Sequence, residues 1–186
     1  MTTAISMRGL RKTYTSKTST KHAVDGIDLD INQGEVFAIL GPNGAGKTTT
    51  VEILEGYRDR DGGEVQVLGI DPGRADRAWR NKIGIVLQST TGLDLLTPRE
   101  VLRTTAKCYD QTRDLDEVIH AVGLDEKADQ RIAGLSGGQK RRVDVGLGII
   151  GRPELLFLDE PTTGFDPQAR RDFWELIRSL ADEGTT

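Results

Sequence analysis

The chain has 186 residues, 36% of them hydrophobic and 29% charged, with a net charge of −4. That length fits one domain with a buried core, and the acidic balance excludes an obvious nucleic-acid footprint or a charged tail. The single Cys108 excludes an internal disulfide, and no apolar stretch nears the roughly 18 residues that a membrane helix needs. The opening MTTAISMRGLRK also lacks the apolar region of a secretory signal, so a cytosolic chain is expected.

The first element with a clear pattern is AVDGIDLDI (23–31), where apolar and polar residues alternate from Ile27 as in a half-exposed strand. EVFAIL (35–40) is a short apolar run stopped by glycine, the pattern of a buried strand. A helix-compatible run, TTTVEILEGY (48–57), follows. EVQVLG (64–69) and KIGIVLQ (82–88) are further strand candidates. Then the texture turns helical. TPREVLRTTAKCY (97–109) opens with Thr97, Pro98 and Glu100, a capping box with proline at the first helical position. LDEVIHAVG (115–123) carries Leu115, Val118, Ile119 and Val122 at helical spacing and stops at Gly123. Ser136 and Gln139 form a second capping box, which starts a helix at Gly137. ELLFLDE (154–160) is again a buried strand. The last element is the helix 167–184, with Phe173, Leu176, Ile177 and Leu180 on one face and Gly184 at its end. Strands separated by helices predict an α/β fold with a parallel sheet covered on both faces.

The strongest chemical signal is GPNGAGKTTT, residues 41–50, which contains G-x-x-x-x-G-K-[ST] at Gly41, Gly46, Lys47 and Thr48. A strand candidate precedes it and a helix follows, the context this motif requires. Glycines let backbone N–H groups wrap phosphates, and a helix N-terminus favours their negative charge. Lys47 would reach the β- and γ-phosphates of ATP, and the Thr48 hydroxyl would hold Mg²⁺. The second signal is LLFLDEP, an apolar strand ending in Asp159 and Glu160. Adjacent strand residues face opposite ways, so these carboxylates serve different tasks: one in the outer sphere of Mg²⁺, the other toward an attacking water. The bland alternative is an acidic strand end meeting solvent. The third signal is GLSGGQKRR (134–142), where two adjacent glycines begin a helix. Glycine costs roughly 1 kcal/mol in a helix relative to alanine, so bare backbone at a helix N-terminus suits a close anionic visitor.

Taken together, Tyr14, GPNGAGKT, Gln88, LSGGQ (135–139), LLFLDE (155–160) and GFDP (164–167), in this order, resemble the nucleotide-binding subunits of ABC transporters along essentially the whole chain. The stretches GYRDRDGGEVQVLG and LTPREVL most resemble bacterial drug- or lipid-type exporter ATPases. The resemblance implies a P-loop NTPase fold of the RecA-like kind: a mainly parallel sheet, an N-terminal antiparallel β subdomain and a helical insertion. It implies a nucleotide-binding core at 1–88 and 143–186, with a helical subdomain at 89–142 ending in the signature. It further implies head-to-tail pairs, in which ATP lies between the P-loop of one copy and the signature of another. Gly41, Pro42, Asn43, Gly44, Ala45, Gly46, Lys47, Thr48 and Thr49 would then cradle one nucleotide. Ser136, Gly137, Gly138 and Gln139 would close on a nucleotide held by a partner chain.

By the same resemblance Tyr14 would stack on adenine, its alternative being an ordinary strand-end tyrosine. Thr48, Gln88 and Asp159 would address Mg²⁺. Glu160 would be the general base, with Gln88 beside the water, and Asp166 would act across the dimer. Phe165 stands where leucine is commoner in the family. The implied partners are a second ATPase subunit, the same or a close homologue, and a polytopic permease, which would place the chain on the cytoplasmic face of the membrane. No nucleic-acid partner is implied.

The family also has a histidine after its next strand. Here the only histidines are His22, before the P-loop, and His120, on a helix of the insertion. Both read as surface or partly packed side chains. The expectation is therefore a C-terminally incomplete domain. Two alternatives stand beside the motor-subunit reading: a non-catalytic nucleotide-binding fragment, and a soluble ABC ATPase not linked to transport. KRR (140–142) reads as a solvated helix face, Cys108 as a small buried residue, and Trp79 and Trp174 as packing residues.

Overall fold

The structure is a computed structural model describing residues 2–86, 92–159, 161–162 and 164–186. It resolves into two compact units, Met1–Arg80 with Thr186, and Asn81–Thr185.

The first unit is built on a three-stranded antiparallel sheet of order β2-β1-β3, from β1 (Thr3–Thr15), β2 (Thr20–Asn32) and β3 (Gly62–Val67). β1 lies in the middle and buries Ile5, Met7 and Leu10. The sequence pattern had not marked it as a strand, for a physical reason. Ala4 and Ile5 are buried side by side, where the pairing register with β2 first slips, and it slips again between Met7 and Leu10, around Gly9 at φ +59°, so strict alternation fails. One helix, α1 (Lys47–Leu54), buries Thr50, Ile53 and Leu54. A 3₁₀ turn, Pro72–Arg74, is capped by Asp71, and the short helix α2 (Arg77–Arg80) carries Trp79. Trp79 is fully buried and its indole N–H donates to the Val67 carbonyl at 2.9 Å, as a packing residue should.

One strand expectation fails. Residues 35–40 join no ladder among the described residues, and Val36, Phe37 and Leu40 are 55%, 44% and 89% exposed. An apolar run specifies burial only where a neighbouring strand takes its N–H and C=O groups, and none pairs with it here.

The second unit contains β4 (Ile83–Val86) and β5 (Leu155–Leu158), paired in parallel with Ile83 opposite Leu155 and Val86 opposite Leu158. Around them stand α3 (Pro98–Ala106), α4 (Leu115–Ala121), α5 (Gly137–Ile149) and α6 (Pro167–Asp182). Their apolar faces meet in one cluster that includes Leu102, Val118, Ile149, Ile150 and Phe173. α5 presses on β4 so closely that a Cβ at Gly84 would overlap the Gly148 carbonyl, and one at Gly148 would meet Val86. The Thr97–Glu100 capping box forms as expected. Two packing expectations are corrected. Cys108 is exposed, and Trp174 is partly exposed because it sits beside Phe173 in sequence and so turns off the buried stripe of α6.

Candidate functional site

The P-loop belongs to the first unit. Gly44 and Gly46 both take left-handed backbone, φ +79° and +86°. At Gly46 a Cβ would also overlap the Ala23 carbonyl oxygen, so glycine is required there twice over. α1 starts directly behind, with no side chain capping its N-terminus and no acidic residue in its first turn. Its leading N–H dipoles thus meet no competing carboxylate from the helix's own first turn. The Lys47 ammonium lies along the loop, donating to the carbonyls of Gly41 at 2.8 Å and Pro42 at 3.0 Å. The Lys21 ammonium comes within 3.5 Å of where a Cβ on Gly44 would be.

Tyr14 is brought to the same place. It sits opposite Lys21 on the β1–β2 ladder, and its hydroxyl lies 3.4 Å from the Thr49 hydroxyl at the start of α1. The Arg58 guanidinium stands 5.4 Å and the Lys12 ammonium 5.9 Å from its ring centroid. Both cations are anchored, Arg58 by Glu52 at 2.6 Å and Lys12 by Asp61 at 2.8 Å. The ring therefore has a fixed cationic neighbourhood. Sequence reading singled out Tyr14 but missed Lys12, Lys21 and Arg58. Nothing in their local pattern marks them; only strand pairing and the turn after α1 collect them.

The other motifs lie in the second unit. β5 ends at Leu158, and the Asp159 N–H donates to the Val86 carbonyl at 3.2 Å, which extends the β4–β5 pairing into the carboxylate turn. Glu160 and Gln88, the expected base and its companion, lie outside the described residues. The signature builds the helix start read from sequence: the Ser136 hydroxyl accepts from the Gln139 N–H at 3.2 Å, and the Gln139 side-chain oxygen accepts from the Ser136 N–H at 2.9 Å. Each side chain is thus engaged with the other residue's main-chain N–H. Gly137 is not in left-handed backbone, and a Cβ on it would meet nothing within 4 Å among the described residues. Neither local conformation nor packing in this chain demands that glycine.

Asp166 caps α6, its carboxylate accepting from the Ala169 N–H at 2.8 Å. Phe165 is buried edge-on against Phe173, ring centroids 5.9 Å apart. The KRR expectation is corrected. Lys140 pairs with Asp94 at the surface, but Arg141 is 5% exposed and bonded to main chain. The 3.6-residue helical turn swings successive side chains onto different faces, so one of three adjacent cations goes inward.

The oxygen donors that the motifs offer, the Thr48 hydroxyl and the Asp159 carboxylate, are of the class Mg²⁺ prefers. Among the described residues no cluster of three or more His, Cys, Asp or Glu forms a protein-only metal cage.

A family model described as ABC transporter matches residues 24–163. The chain belongs to the ABC transporter family. This ABC chain is 40% identical over its whole length to the daunorubicin/doxorubicin resistance ATP-binding protein DrrA of Streptomyces peucetius. It is 41% identical, again over its whole length, to the Nod factor export ATP-binding protein I of Rhizobium meliloti (strain 1021). Linearmycin resistance ATP-binding protein LnrL of Bacillus subtilis (strain 168) matches at 39% over 95% of this chain. These matches cover 56–57% of the relatives, so the ABC chain spans little more than half their length. Among solved structures, the ATP-binding cassette MJ0796 in a dimeric post-hydrolysis state, bound to ADP and Pi, superposes with a TM-score of 0.86 at 26% identity. That match covers 98% of this chain and 85% of that one. The fold is that of an ABC ATPase cassette: a P-loop NTPase with an antiparallel β unit, parallel strands and helices. No described helix is long and apolar enough to cross a membrane.

Proposed function

We propose that this chain is the ATP-binding and ATP-hydrolysing part of an ABC exporter subunit, working as a head-to-tail pair beneath a membrane permease. The observation that carries the reading is a contrast between glycines. Gly46 is demanded by the chain's own backbone and packing, whereas Gly137 is demanded by neither. A glycine required by nothing inside suits an approach from outside, and a helix N-terminus suits an anion. The relatives named for drug resistance and for Nod factor export support the exporter part. The match to a dimeric cassette supports the pairing. The permease would fix the chain to the cytoplasmic face.

In this reading Gly41–Thr49 cradle the phosphates of ATP and Lys47 transfers its N–H donors from two carbonyls to the β- and γ-phosphates. Tyr14 stacks on the base. In the signature of the other copy, Ser136 and Gln139 brace the helix start with their capping box, and Gly137 and Gly138 present main-chain N–H groups to the γ-phosphate. Thr48, Gln88 and Asp159 would hold Mg²⁺, which when bound neutralises charge on the phosphate oxygens. Glu160 orients the attacking water and accepts its proton.

The test is turnover and binding in the full-length protein. Glu160→Gln is expected to keep ATP affinity while turnover falls by about 100-fold or more. Normal turnover in that variant removes Glu160 as the base. Failure of the wild-type protein to bind ATP removes the reading altogether.

A further inference from the structure

Arg141 lies in the second turn of the signature helix α5 with 5% of its surface exposed. A guanidinium keeps its charge at any physiological pH, and burying it is costly unless its N–H donors are used. Its Nη2 donates to the Asp159 carbonyl at 2.5 Å and its Nε to the Pro161 carbonyl at 3.2 Å. The Asp144 carboxylate, three residues on along the helix, stands 3.8 Å from Nη1. The planar fork therefore clasps the main chain on both sides of position 160. A lysine ammonium is a point charge on a flexible stem and cannot hold two carbonyls in one fixed plane in the same way.

We propose that Arg141 is a positioning residue that sets the aim of the carboxylate turn after β5. The inference rests on the ATPase reading above and adds a residue to it. It also gives α5 a second task. The helix begins at Ser136–Gly138, the lid over a partner's nucleotide, and one turn later it holds this chain's own hydrolytic turn. Four residues of helix, about 6 Å, separate Gly137 from Arg141. A displacement of the lid is thereby carried to the main chain at Asp159 and Pro161 by a single rigid element.

The test uses the full-length protein with Arg141→Gln and Arg141→Lys. Competent molecules are counted by the stoichiometry of nucleotide binding, so that misfolded protein does not enter the rate. Turnover per bound nucleotide is expected to fall about 10- to 100-fold in Arg141→Gln, the range for groups that orient a site's direct ligands. Arg141→Lys should recover part of the loss, and the Kd for ATP should stay within about 3-fold in both. Amide hydrogen exchange is expected to speed up over residues 155–162 and to stay unchanged over 41–48. Normal turnover per bound nucleotide with normal exchange at 155–162 overturns the proposal, whatever the melting temperature does. If Arg141→Gln does not fold, Arg141→Lys carries the same comparison alone. A wild-type protein without ATPase activity sinks the functional reading instead, and exchange at 155–162 still decides whether Arg141 holds the turn.

Discussion

Glycine at two positions in this chain answers to two different demands. At Gly46 the backbone is left-handed and the Ala23 carbonyl fills the space a side chain would need. Gly46→Ala is expected to lower stability by on the order of 1–3 kcal/mol and to weaken ATP binding, readable by chemical denaturation and titration. Gly137→Ala meets no such obstacle. Its stability should stay within about 1 kcal/mol of the parent, since alanine is the better helix former, while turnover is expected to fall because, in the proposed pair, the added methyl would stand where a phosphate approaches. Equal damage to stability from both substitutions would contradict the distinction. Residue-scale chemistry was legible in sequence wherever one contiguous motif held it, as at Gly41–Thr48 and Ser136–Gln139. It was illegible for Arg58, Lys21 and Arg141, whose partners come from distant segments.

Elements whose signals are local were read well. The capping boxes at Thr97–Glu100 and Ser136–Gln139 formed as expected, because each is closed by residues three apart. β1 escaped because repeated register slips, one of them around Gly9, break its alternation. Residues 35–40 misled because strand formation is a property of pairs, and an apolar run states only half of one.

The turn into α2 offers a pH test of its own. Arg60 donates to both Asp71 carboxylate oxygens, at 2.8 and 2.7 Å, and this hydrogen bonding lowers the Asp71 pKa from 3.8 to about 2. The folded state thus prefers the ionised form more strongly than the unfolded chain does. That stabilisation is complete above the unfolded value near 4 and is lost as pH falls through about 2. Asp71→Asn should therefore be less stable than the parent at neutral pH, and the two should converge as pH approaches 2. A difference in melting temperature that is constant from pH 6 down to about 2 would refute this.

At the scale of the whole molecule, the P-loop and the signature lie in different compact units. Family likeness together with the bare glycine at position 137 supports a lid supplied by another copy. Ser136→Arg, which breaks the capping box and adds bulk at the lid, is expected to abolish ATP-dependent dimerisation while leaving ATP binding to the monomer within about 3-fold. Light scattering with and without ATP, in the Glu160→Gln background to slow hydrolysis, reads the outcome. A dimer that still forms would argue against a shared site. The order of motifs along the sequence revealed the fold class, because order is a linear property. The division into two units was not legible, because compactness depends on which distant segments touch.

The Lys47 ammonium is shared between two carbonyls of the very loop it serves. The carbonyls are neutral, so the ammonium keeps its charge while its donors are occupied, and an anion that draws it away must first break those two hydrogen bonds. A ligand carrying several negative charges close together meets that cost best, because it collects the exposed helix dipoles as well. Discrimination against simple salts is in this sense a resting property of the loop, present before any second copy arrives.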